Sequence, residues 1–333
     1  MIKTPIDMRL FTQDLTASVW TLGAIGALLE SGLVVLLHEP RSLEELATRC
    51  PTLSKGLIER CLAVAAAAGI VTVNDGRYLI VEGAAPFSQQ PFRSALQGDI
   101  RSTLIQSMLL LDAAAGKGSD AGWRYTDPVL LQAQGDSSAL FPPMFKMNIV
   151  PALGNLAARL DAPGSRFLDI GVGVAAFTIA MCRIWPNLQV VGIDPFDAPL
   201  AIARENIKQA DLVHRIELRK IAAQDLRDEG VFDLAWLPSF FIPAPVLSAV
   251  LDRVLISLNP GGWLLFPIGG FVGDDRQRTG FALANEFWGG PVLYISEAEA
   301  LLKQVGFKAI RALPGPPVWP QLLVAQRGTS PAI

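Results

Sequence analysis

Residues 169–175, Asp-Ile-Gly-Val-Gly-Val-Ala, constrain the fold of this chain more than any other segment. They follow the apolar pair Phe167 and Leu168 and lead into a stretch of helix-forming residues, 175–181. A strand, a glycine turn and a helix in this order open a doubly wound α/β domain, whose ligand lies beyond the carboxyl end of the first strand. The sequence therefore predicts a Rossmann-like domain with its binding site at this turn.

The residues at the turn also narrow the chemical class of the ligand. The spacing Gly171-x-Gly173-x-x-Ala176 satisfies the dinucleotide-binding fingerprint, so a nicotinamide dinucleotide is the competing interpretation. Asp169 argues against it, because a carboxylate two residues before the turn would repel a diphosphate. The same carboxylate would attract a ligand that carries an ammonium and a sulfonium group. A cationic ligand is therefore favoured.

This arrangement resembles motif I of the class I S-adenosylmethionine (SAM)-dependent methyltransferases, D/E-x-G-x-G-x-G, with Ala175 in place of the third glycine. Asp194 ends a second strand-like segment 21 residues beyond Gly173, close to the spacing at which a carboxylate binds ribose hydroxyls. By resemblance, Asp225 would accept a hydrogen bond from the adenine amino group. The Asn-Pro-Gly-Gly turn at 259–262, before an apolar strand, is a further feature of the family.

The resemblance implies SAM as the cofactor and S-adenosylhomocysteine (SAH) as its product. Residues 140–147 fall where family members place a helix over the methionine end of the cofactor, and for Phe145 and Met147 an interdomain core position is the alternative. The residues expected to contact the cofactor are Asp169, Gly171, Gly173, Asp194, Pro195, Asp225, Leu226, Leu237, Phe145 and Met147.

The N-terminal third has a different pattern, that of a winged helix. Helical spacing at 21–37, a capping box at Ser42 and Glu45, and a helical segment at 54–68 come first. Two short strands joined by an Asn-Asp-Gly turn follow, within residues 70–81. A winged helix raises the alternative of a DNA-binding regulator.

Charge argues against DNA binding. The helix that would enter the major groove has only two cations, Lys55 and Arg60, and the whole chain has a net charge of −3. DNA affinity depends on neutralising several phosphates. The segment instead resembles the N-terminal domain of small-molecule O-methyltransferases, in which a winged helix has become a dimerisation and substrate-lid element. We therefore expect a homodimer formed through this domain and no nucleic-acid partner.

Together these patterns predict an α/β chain in which an all-α, winged-helix dimerisation domain precedes a Rossmann-like, seven-stranded methyltransferase domain. The expected boundaries are 1–91 for the dimerisation domain, 92–160 for a helical linker and substrate-lid region, and 161–333 for the SAM-binding domain. Within them we expect a loop at 112–120 and a second capping box, Ser296 with Glu299, at the start of a helix. A proline-rich link, 314–317, is expected to lead into the last strand, 318–326. The resemblance extends from about residue 21 to residue 327 and so covers most of the chain. It makes secondary metabolism the natural setting.

Composition indicates a protein with much buried apolar surface. Hydrophobic residues make up 51% of the chain, and the mean hydropathy is +0.37. We expect no membrane span, because no apolar stretch is long enough, and the first residues lack the apolar core of a signal peptide. The three cysteines follow no metal-ligand spacing. A cytoplasmic protein without a metal is therefore expected, with its excess apolar surface in a dimer interface and a substrate pocket.

Aromatic residues near the predicted strand ends supply the walls of that pocket. Residues 122–125 resemble the segment that lines the substrate cavity in the family, and residues 271–288 form an insertion able to cover it. The residues expected to bind the substrate, a small and largely apolar molecule, are Trp123, Arg124, Tyr125, Trp236, Phe240, Phe241, Asn285 and Trp288.

The most informative departure from the family concerns catalysis. O-Methyltransferases of this architecture usually carry a histidine base just after the fourth strand, but the corresponding residues 236–245 contain no histidine, acid or lysine. The only histidines are His38 and His214, and we expect both to be structural or surface residues. Tyr125 and Glu286 remain as candidates for a catalytic role.

Methyl transfer does not always require a base. Displacement at a sulfonium depends on the leaving group and on alignment. A base helps, by roughly 10²–10⁴-fold, only when the acceptor must lose a proton. The sequence therefore predicts methyl transfer by proximity and desolvation, with oxygen, sulfur, nitrogen and carbon all open as the acceptor. The alternative is an enzyme that binds SAM but catalyses a rearrangement.

Overall fold

The structure is a computed structural model that describes residues 2–118, 122–271, 273–314 and 320–329. The chain forms two compact units, Met1–Ile105 and Gln106–Ile333. The division falls inside the predicted linker, so that residues 92–105 belong to the first unit and residues 106–160 to the second.

The first unit consists of helices and a small sheet. Its elements, in chain order, are α1 (Pro5–Glu30), α2 (Leu33–Leu36), β1 (Arg41–Ser42), α3 (Leu43–Arg49), α4 (Lys55–Ala67), β2 (Val71–Asn74) and β3 (Arg77–Ile80). The three strands pair antiparallel in the order β1-β3-β2. A long helix, α5 (Phe92–Ala114), runs from this unit into the second.

A reciprocal cap fixes the start of α3. Ser42 Oγ accepts a hydrogen bond from Glu45 N at 3.2 Å, and Glu45 Oε2 accepts one from Ser42 N at 2.6 Å. Two backbone donors that have no partner within the helix are satisfied in this way. The predicted capping box is confirmed.

The prediction of one helix over 21–37 is wrong at both ends. Thr4 forms a capping box and Pro5 occupies the first helical position, so α1 begins well before residue 21. At the other end Gly32 has a left-handed φ of 72°, which interrupts the helix before α2. The spacing of apolar residues therefore located the buried half of a longer helix.

The core of the first unit is formed by the second half of α1, by α3 and α4, and by the sheet. Its fully buried side chains include Leu37, Leu46, Ile58 and Leu62. The first two thirds of α1 contribute nothing to this core. They expose the apolar side chains of Ile6, Met8, Leu10, Phe11, Val19 and Trp20.

The second unit alternates strands and helices after a helical start. Its helices are α6 (Pro128–Ser138), α7 (Phe141–Met144), α8 (Leu156–Asp161), α9 (Ala176–Ile184), α10 (Asp197–Gln209), α11 (Ala244–Ser257), α12 (Asp275–Trp288) and α13 (Ile295–Val305). Its strands are β4 (Arg166–Ile170), β5 (Gln189–Ile193), β6 (Ile216–Arg219), β7 (Phe232–Trp236), β8 (Leu258–Phe271), β9 (Lys308–Leu313) and β10 (Pro320–Gln326).

The seven strands form one sheet in the order β6-β5-β4-β7-β8-β10-β9. The pairs from β6 to β8 are parallel, whereas β10 is antiparallel to both of its neighbours. The strand order reverses at β4, because β5 lies on one side of it and β7 on the other. Ligands of such sheets bind beyond the carboxyl ends of the strands at this switch point. The predicted seven-stranded, Rossmann-like domain is confirmed.

Helices cover both faces of this sheet. On β4, Phe167 packs with residues of α8, α9 and α10, and the next residue, Leu168, packs with residues of α11 and α13. Successive side chains of a strand point to opposite faces, so a continuous apolar run suits a strand that is buried on both sides. The sheet is therefore a rigid support for the loops at its carboxyl edge.

The Asn-Pro-Gly-Gly segment lies within β8 and not before it. Phe232 of β7 pairs with Leu258 and Leu234 pairs with Trp263, so residues 259–262 bulge out of the ladder. Asn259 Nδ2 donates to Asp233 Oδ1 at 3.1 Å and holds the bulge to β7. The bulge sets the register of the half of β8 that reaches the carboxyl edge.

The predicted capping box of Ser296 and Glu299 is wrong. Helix α13 begins at Ile295, and Glu297 Oε2 accepts a hydrogen bond from Tyr294 N at 2.9 Å. The acid three residues after the cap is therefore Glu297. Tyr294 with Glu297 and Ser296 with Glu299 have the same three-residue spacing, and the helix uses the first pair.

Parts of three predicted segments lie outside the described residues. In the predicted loop 112–120, α5 continues to Ala114, and residues 119 and 120 are not described. The same holds for residues 315–317 of the proline-rich link and for residues 318 and 319 of the last predicted strand.

Candidate active site

The glycine turn follows β4 directly and is held by the neighbouring strand. Gly171 N and Val172 N both donate to Ile193 O, at 2.9 and 3.0 Å. Gly171 and Gly173 have left-handed φ values of 72° and 54°, which glycine adopts without steric cost. Ala175 has a φ of 64° although it carries a Cβ. The backbone of the motif is therefore kept where alanine replaces the third glycine.

Asp194 is buried at the carboxyl end of β5, beside the turn. Its Oδ2 accepts a hydrogen bond from Gly173 N at 3.1 Å and its Oδ1 accepts one from Phe196 N at 2.9 Å. Burial raises the pKa of Asp194, and the two hydrogen bonds oppose this rise. A diphosphate at this turn would need the N–H of Gly173, which a carboxylate occupies. The geometry therefore disfavours a dinucleotide.

Asp169 is a second buried carboxyl group, at the end of β4, with 2% of its surface exposed. The hydroxyl of Thr178, on α9, donates to its Oδ2. Burial raises the pKa of Asp169 to about 7, and the negative charge of Asp194 adds to this effect, while the Thr178 hydrogen bond opposes it. Among the described residues, no cation pairs with either acid. A cationic ligand would compensate both charges.

The other predicted cofactor residues follow the same strand ends but differ in exposure. Asp225 ends a 3₁₀ turn after β6, and its side chain is 60% exposed, with Oδ1 3.8 Å from Arg227 Nη2. Pro195 is exposed beside Asp194. Leu226 and Leu237 are fully buried in the core under α11. The side chains of these two leucines are therefore used in packing, and their backbone N–H groups donate to Ala223 O and Leu265 O, at 3.3 and 3.0 Å.

The structure places Phe145 and Met147 very differently. Phe145 is fully buried, with its ring centroid 5.8 Å from those of Phe141 and Trp185. It has a core position, within the second unit. Met147 is 72% exposed. Both residues belong to one π-helical turn, Phe145–Ile149, in which Phe145 faces the core and Met147 faces the solvent.

Five of the predicted substrate residues form one group, which we call the aromatic cluster: Trp123, Tyr125, Phe240, Phe241 and Trp288. The ring centroid of Trp123 lies 5.1 Å from that of Tyr125 and 5.3 Å from that of Phe241. Phe241 lies 5.1 Å from both Phe240 and Trp288. A backbone hydrogen bond of 3.0 Å from Trp123 N to Trp288 O holds the two segments together.

Trp236 does not belong to the aromatic cluster by these contacts. It ends β7 and stacks on Phe177 of α9, with 4.6 Å between ring centroids, and lies 4.8 Å from Phe141. Its partners therefore come from the glycine-turn helix and from α7. The sequence placed Trp236 and Phe240 in one wall, but the change of direction after β7 separates them.

The three polar candidates for orienting a substrate also differ in exposure. Arg124 and Glu286 are exposed. Asn285 is fully buried, and its Nδ2 donates to Gly269 O and Phe281 O, both at 3.1 Å. Its Oδ1 is buried and has no partner among the described residues. Asn285 therefore ties α12 to β8.

Tyr125 is the one candidate for a catalytic role within the aromatic cluster. Burial raises the pKa of its phenol above the ordinary value of 10.0. The hydroxyl therefore stays protonated at neutral pH and is suited to donate a hydrogen bond. It is a poor general base, because its phenolate is scarce at that pH.

No histidine lies near this edge of the sheet in the second unit. Ile242, within the segment where the family carries its base, is buried in the core. His214 lines a groove with Arg166 and Gln189 at the amino ends of β4 and β5, which is the opposite edge. His38 belongs to the first unit, where it contacts the hydroxyl of Ser88.

Several residues that shape the site escaped the sequence analysis. A Cβ at Gly192 would lie 2.6 Å from Val172 Cγ2, and one at Gly135 would lie 2.1 Å from Val174 Cγ2. Both glycines therefore let neighbouring elements approach the glycine turn. A glycine inside a strand signals such an approach, so Gly192 could have been found. Nothing in the sequence marks Gly135, because its contact joins segments about 40 residues apart.

A hydrogen-bond network also fixes helix α6 over the turn. Asn206 Nδ2, on α10, donates to Val174 O at 2.9 Å and to Gln132 Oε1 at 3.0 Å. Gln132 Nε2 donates in turn to Asp136 Oδ1 at 2.8 Å. The turn is thus enclosed by α6 as well as by β5.

Comparison with known proteins is consistent with this site. Residues 167–262 match the family model described as a methyltransferase domain. The trans-aconitate 2-methyltransferase of Variovorax paradoxus (strain S110) is 30% identical over 153 residues, which make up 45% of this chain and 57% of that protein. The chain thus spans little more than half of that relative's length.

Two solved structures resemble the whole chain. Human N-acetylserotonin methyltransferase, in complex with SAM, has a TM-score of 0.66 at 16% identity, covering 99% of this chain and all of that one (100%). A protein of Nostoc punctiforme PCC 73102 assigned as an O-methyltransferase has a TM-score of 0.65 at 20% identity, covering 98% and 100%. Identities this low show a common fold. Residues 167–262 therefore match a methyltransferase domain, and the whole chain has the overall fold of these solved methyltransferases.

Proposed function

We propose that this chain transfers a methyl group from SAM to a small, largely apolar molecule without a histidine base. The observation that carries the proposal is the pair of buried carboxyl groups at the glycine turn, Asp169 and Asp194, which have no cation beside them among the described residues. An apolar core does not retain two acids at this cost unless a ligand compensates them.

The residues present fit this cofactor. When bound, SAM supplies an electrophilic methyl group on a sulfonium. Asp169 would bind the ammonium group, Asp194 the ribose hydroxyls and Asp225 the adenine amino group. The occupied N–H of Gly173 supports a ligand that meets carboxylate oxygens at this turn rather than backbone donors.

The aromatic cluster supports the proposed substrate class. Its rings offer flat apolar walls that exclude water and hold an acceptor in line with the methyl group. Aromatic faces also attract a cation, which favours a sulfonium nearby. Tyr125 would orient the acceptor as a hydrogen-bond donor. Acceptors that need no base, such as a thioether, an amine, a carboxylate or an acidic phenol, suit such a site.

The exposed apolar face of α1 supports the proposed homodimer. Its most exposed side chains are Ile6, Leu10 and Trp20, at 71%, 60% and 73%. At the period of a helix these three residues lie on one side of α1, and exposed apolar patches on a single chain mark interaction sites. We propose that a second copy of the chain covers this side of α1, and that this unit is the winged-helix dimerisation domain.

We also propose a cytoplasmic location. Cys50, Cys61 and Cys182 are all free thiols and buried, as in proteins kept in a reducing compartment. Within the described residues, no helix is sufficiently long and apolar to cross a membrane.

Calorimetric titration tests the cofactor assignment. We expect the purified protein to bind SAM and SAH but not NADH, and Asp194→Ala to lose most of the SAM affinity. The matched control is Asp197→Ala, because Asp197 is an exposed acid three residues away whose partner is Lys220. This control should bind SAM as the wild type does. Binding of NADH, or a folded protein that does not bind SAM, would contradict the proposal.

Product analysis tests the reaction. The protein is incubated with SAM and one acceptor of each class, a thioether, an amine, a carboxylate and a phenol, and methylated product and SAH are measured by mass spectrometry. We expect turnover with a flat apolar acceptor, and a rate that Tyr125→Phe lowers more than Arg124→Ala. SAM binding without SAH formation from any acceptor would argue against methyl transfer.

A further inference from the structure

A relay of two hydrogen bonds leads out of the aromatic cluster. Trp288 Nε1 donates to Gln106 Oε1 at 2.5 Å, and Gln106 Nε2 donates to Gln134 Oε1 at 2.9 Å. The three residues come from α12, α5 and α6, and all are half-buried. The relay therefore exists only in the folded chain, where three helices meet.

The chemistry of the indole fixes the direction of this relay. An indole N–H can only donate, so Gln106 must turn its oxygen to Trp288 and its amide nitrogen to Gln134. Gln134 must then turn its oxygen to Gln106. Neither amide can flip without losing a hydrogen bond. The amide nitrogen of Gln134 is consequently the outer end of the relay, and it has no hydrogen-bond partner among the described residues.

The relay ends one residue away from a close contact with the glycine turn. Gln134 precedes Gly135, whose Cα approaches the side chain of Val174 on the glycine turn so closely that a Cβ would lie 2.1 Å from it. The other end is the indole of Trp288, inside the aromatic cluster. A free amide donor is thus connected to the turn through Gly135 and to the aromatic cluster through Gln106.

We propose that the Gln134 amide is a specificity-determining donor that binds a carbonyl oxygen of the substrate. Gln106 and Trp288 are positioning residues, because they keep that amide from turning its oxygen outward. The inference rests on the proposed function and deepens it. The substrate class becomes a flat apolar molecule that carries a ketone, an aldehyde or another carbonyl group.

A matched pair of probes tests the proposal. We would titrate 6-hydroxy-2-acetonaphthone and 6-ethyl-2-naphthol, which differ in the carbonyl oxygen, and follow the tryptophan fluorescence of the protein with and without SAH. The ketone should bind the wild type about threefold to tenfold more tightly, as expected for one net hydrogen bond.

Three variants distinguish the role of the Gln134 amide from that of the residues that position it. Gln134→Leu should bring the two affinities within twofold, mainly by weakening ketone binding. Trp288→Phe keeps an aromatic ring but removes the indole N–H donor, so it should reduce the ketone preference without abolishing it. Gln209→Leu, on the exposed side of α10, is the control and should retain the full preference. A purely structural role would change both affinities together and leave their ratio unchanged.

Three results would overturn the proposal: equal affinities in the wild type, no binding of either probe, or an unchanged ratio in Gln134→Leu. Failure of the proposed function is distinct, because it appears as absent SAH binding in the same titrations. A ketone preference that is lost in Gln134→Leu would support the donor even then.

Discussion

Asp169 combines the features of a ligand-binding residue with a cost to folding. Its carboxyl group is almost fully buried, its pKa is raised to about 7, and its one side-chain hydrogen bond comes from Thr178. In an unfolded chain the same group has an ordinary pKa near 3.8. The folded protein therefore binds this proton more tightly, and stability is lost as the pH rises from about 4 to about 7.

The first prediction follows from that sign. Asp169→Asn should raise the free energy of unfolding at pH 8 by on the order of 1–3 kcal/mol, because the amide has no charge to bury and still accepts the Thr178 hydrogen bond. The gain should shrink toward pH 5, where the acid is already protonated. Urea unfolding at both pH values measures it, and SAM affinity should fall at least tenfold. An equal loss of stability at both pH values would contradict this account.

The second prediction concerns Thr178 itself. Thr178→Val removes the hydroxyl that opposes the raised pKa, so less Asp169 is ionised at pH 7. SAM affinity should fall roughly fivefold at pH 7 and only slightly at pH 9, where the acid is ionised in both proteins. Thr178→Ser keeps the hydroxyl and is the control. Calorimetry at the two pH values decides, and a loss that is the same at both would point to distorted packing instead.

At the scale of elements, the glycine turn depends on the spacing of its neighbours. Strand β5 carries Gly192 under Val172, and helix α6 carries Gly135 against Val174. The turn is therefore clamped from two sides by close backbone approach. The clamp restrains Ala175, whose φ of 64° costs energy for a residue that carries a Cβ.

The third prediction tests this clamp. Gly192→Ala places a methyl group 2.6 Å from Val172 Cγ2 and should displace the turn. The free energy of unfolding should fall by on the order of 1–3 kcal/mol. SAM binding should become at least tenfold weaker. Gly280→Ala, in α12, is the matched control, since its methyl group meets nothing within 4 Å. The control should stabilise the helix by about 0.5–1 kcal/mol. Thermal unfolding and calorimetry measure both, and normal SAM binding by Gly192→Ala would refute the clamp.

At the scale of the whole molecule, the exposed apolar residues of α1 are the place where we propose that a second copy binds. The helix has 26 residues, but only Ala24, Leu28 and Leu29 are buried. The remaining apolar side chains gain nothing from the fold of their own unit. A second copy of the chain is the partner that we propose for them.

The fourth prediction is that Trp20→Lys weakens the dimer. A charge in the middle of an apolar interface costs several kcal/mol, so the variant should sediment as a monomer at concentrations where the wild type is a dimer. Val213→Lys changes an exposed apolar residue of the second unit, at 65%, and should not alter assembly. Analytical ultracentrifugation compares the three proteins. A wild type that is already monomeric would contradict the proposed homodimer.

The sequence was sufficient where the signal is local. The glycine turn, Asp194 after the second strand, the capping box of Ser42 and Glu45, and the hairpin of β2 and β3 are each specified within a few residues. Backbone preferences, capping and strand alternation act over that range. The seven-stranded sheet followed from the family resemblance and not from any one segment, whereas its strand order is seen only in the structure.

The sequence did not predict the position of side chains that depends on contacts between distant segments. Met147 and Phe145 are two residues apart on one helical turn and so lie on opposite sides of it, where one is exposed and the other buried. Trp236 stacks on α9 and not in the aromatic cluster. Periodicity does not encode which side of a helix or strand end becomes buried, since that depends on which distant segment packs against each side.

What the sequence by itself determined is the class of fold and the chemistry at its switch point: a glycine turn flanked by acids, and a fourth strand end without a histidine. Tertiary structure decided which polar groups are buried without a cation and which aromatic rings meet. The relay of Trp288, Gln106 and Gln134 spans 182 residues of chain, and only folding brings it together. Local propensities act over a few residues, whereas a binding site is a set of long-range contacts.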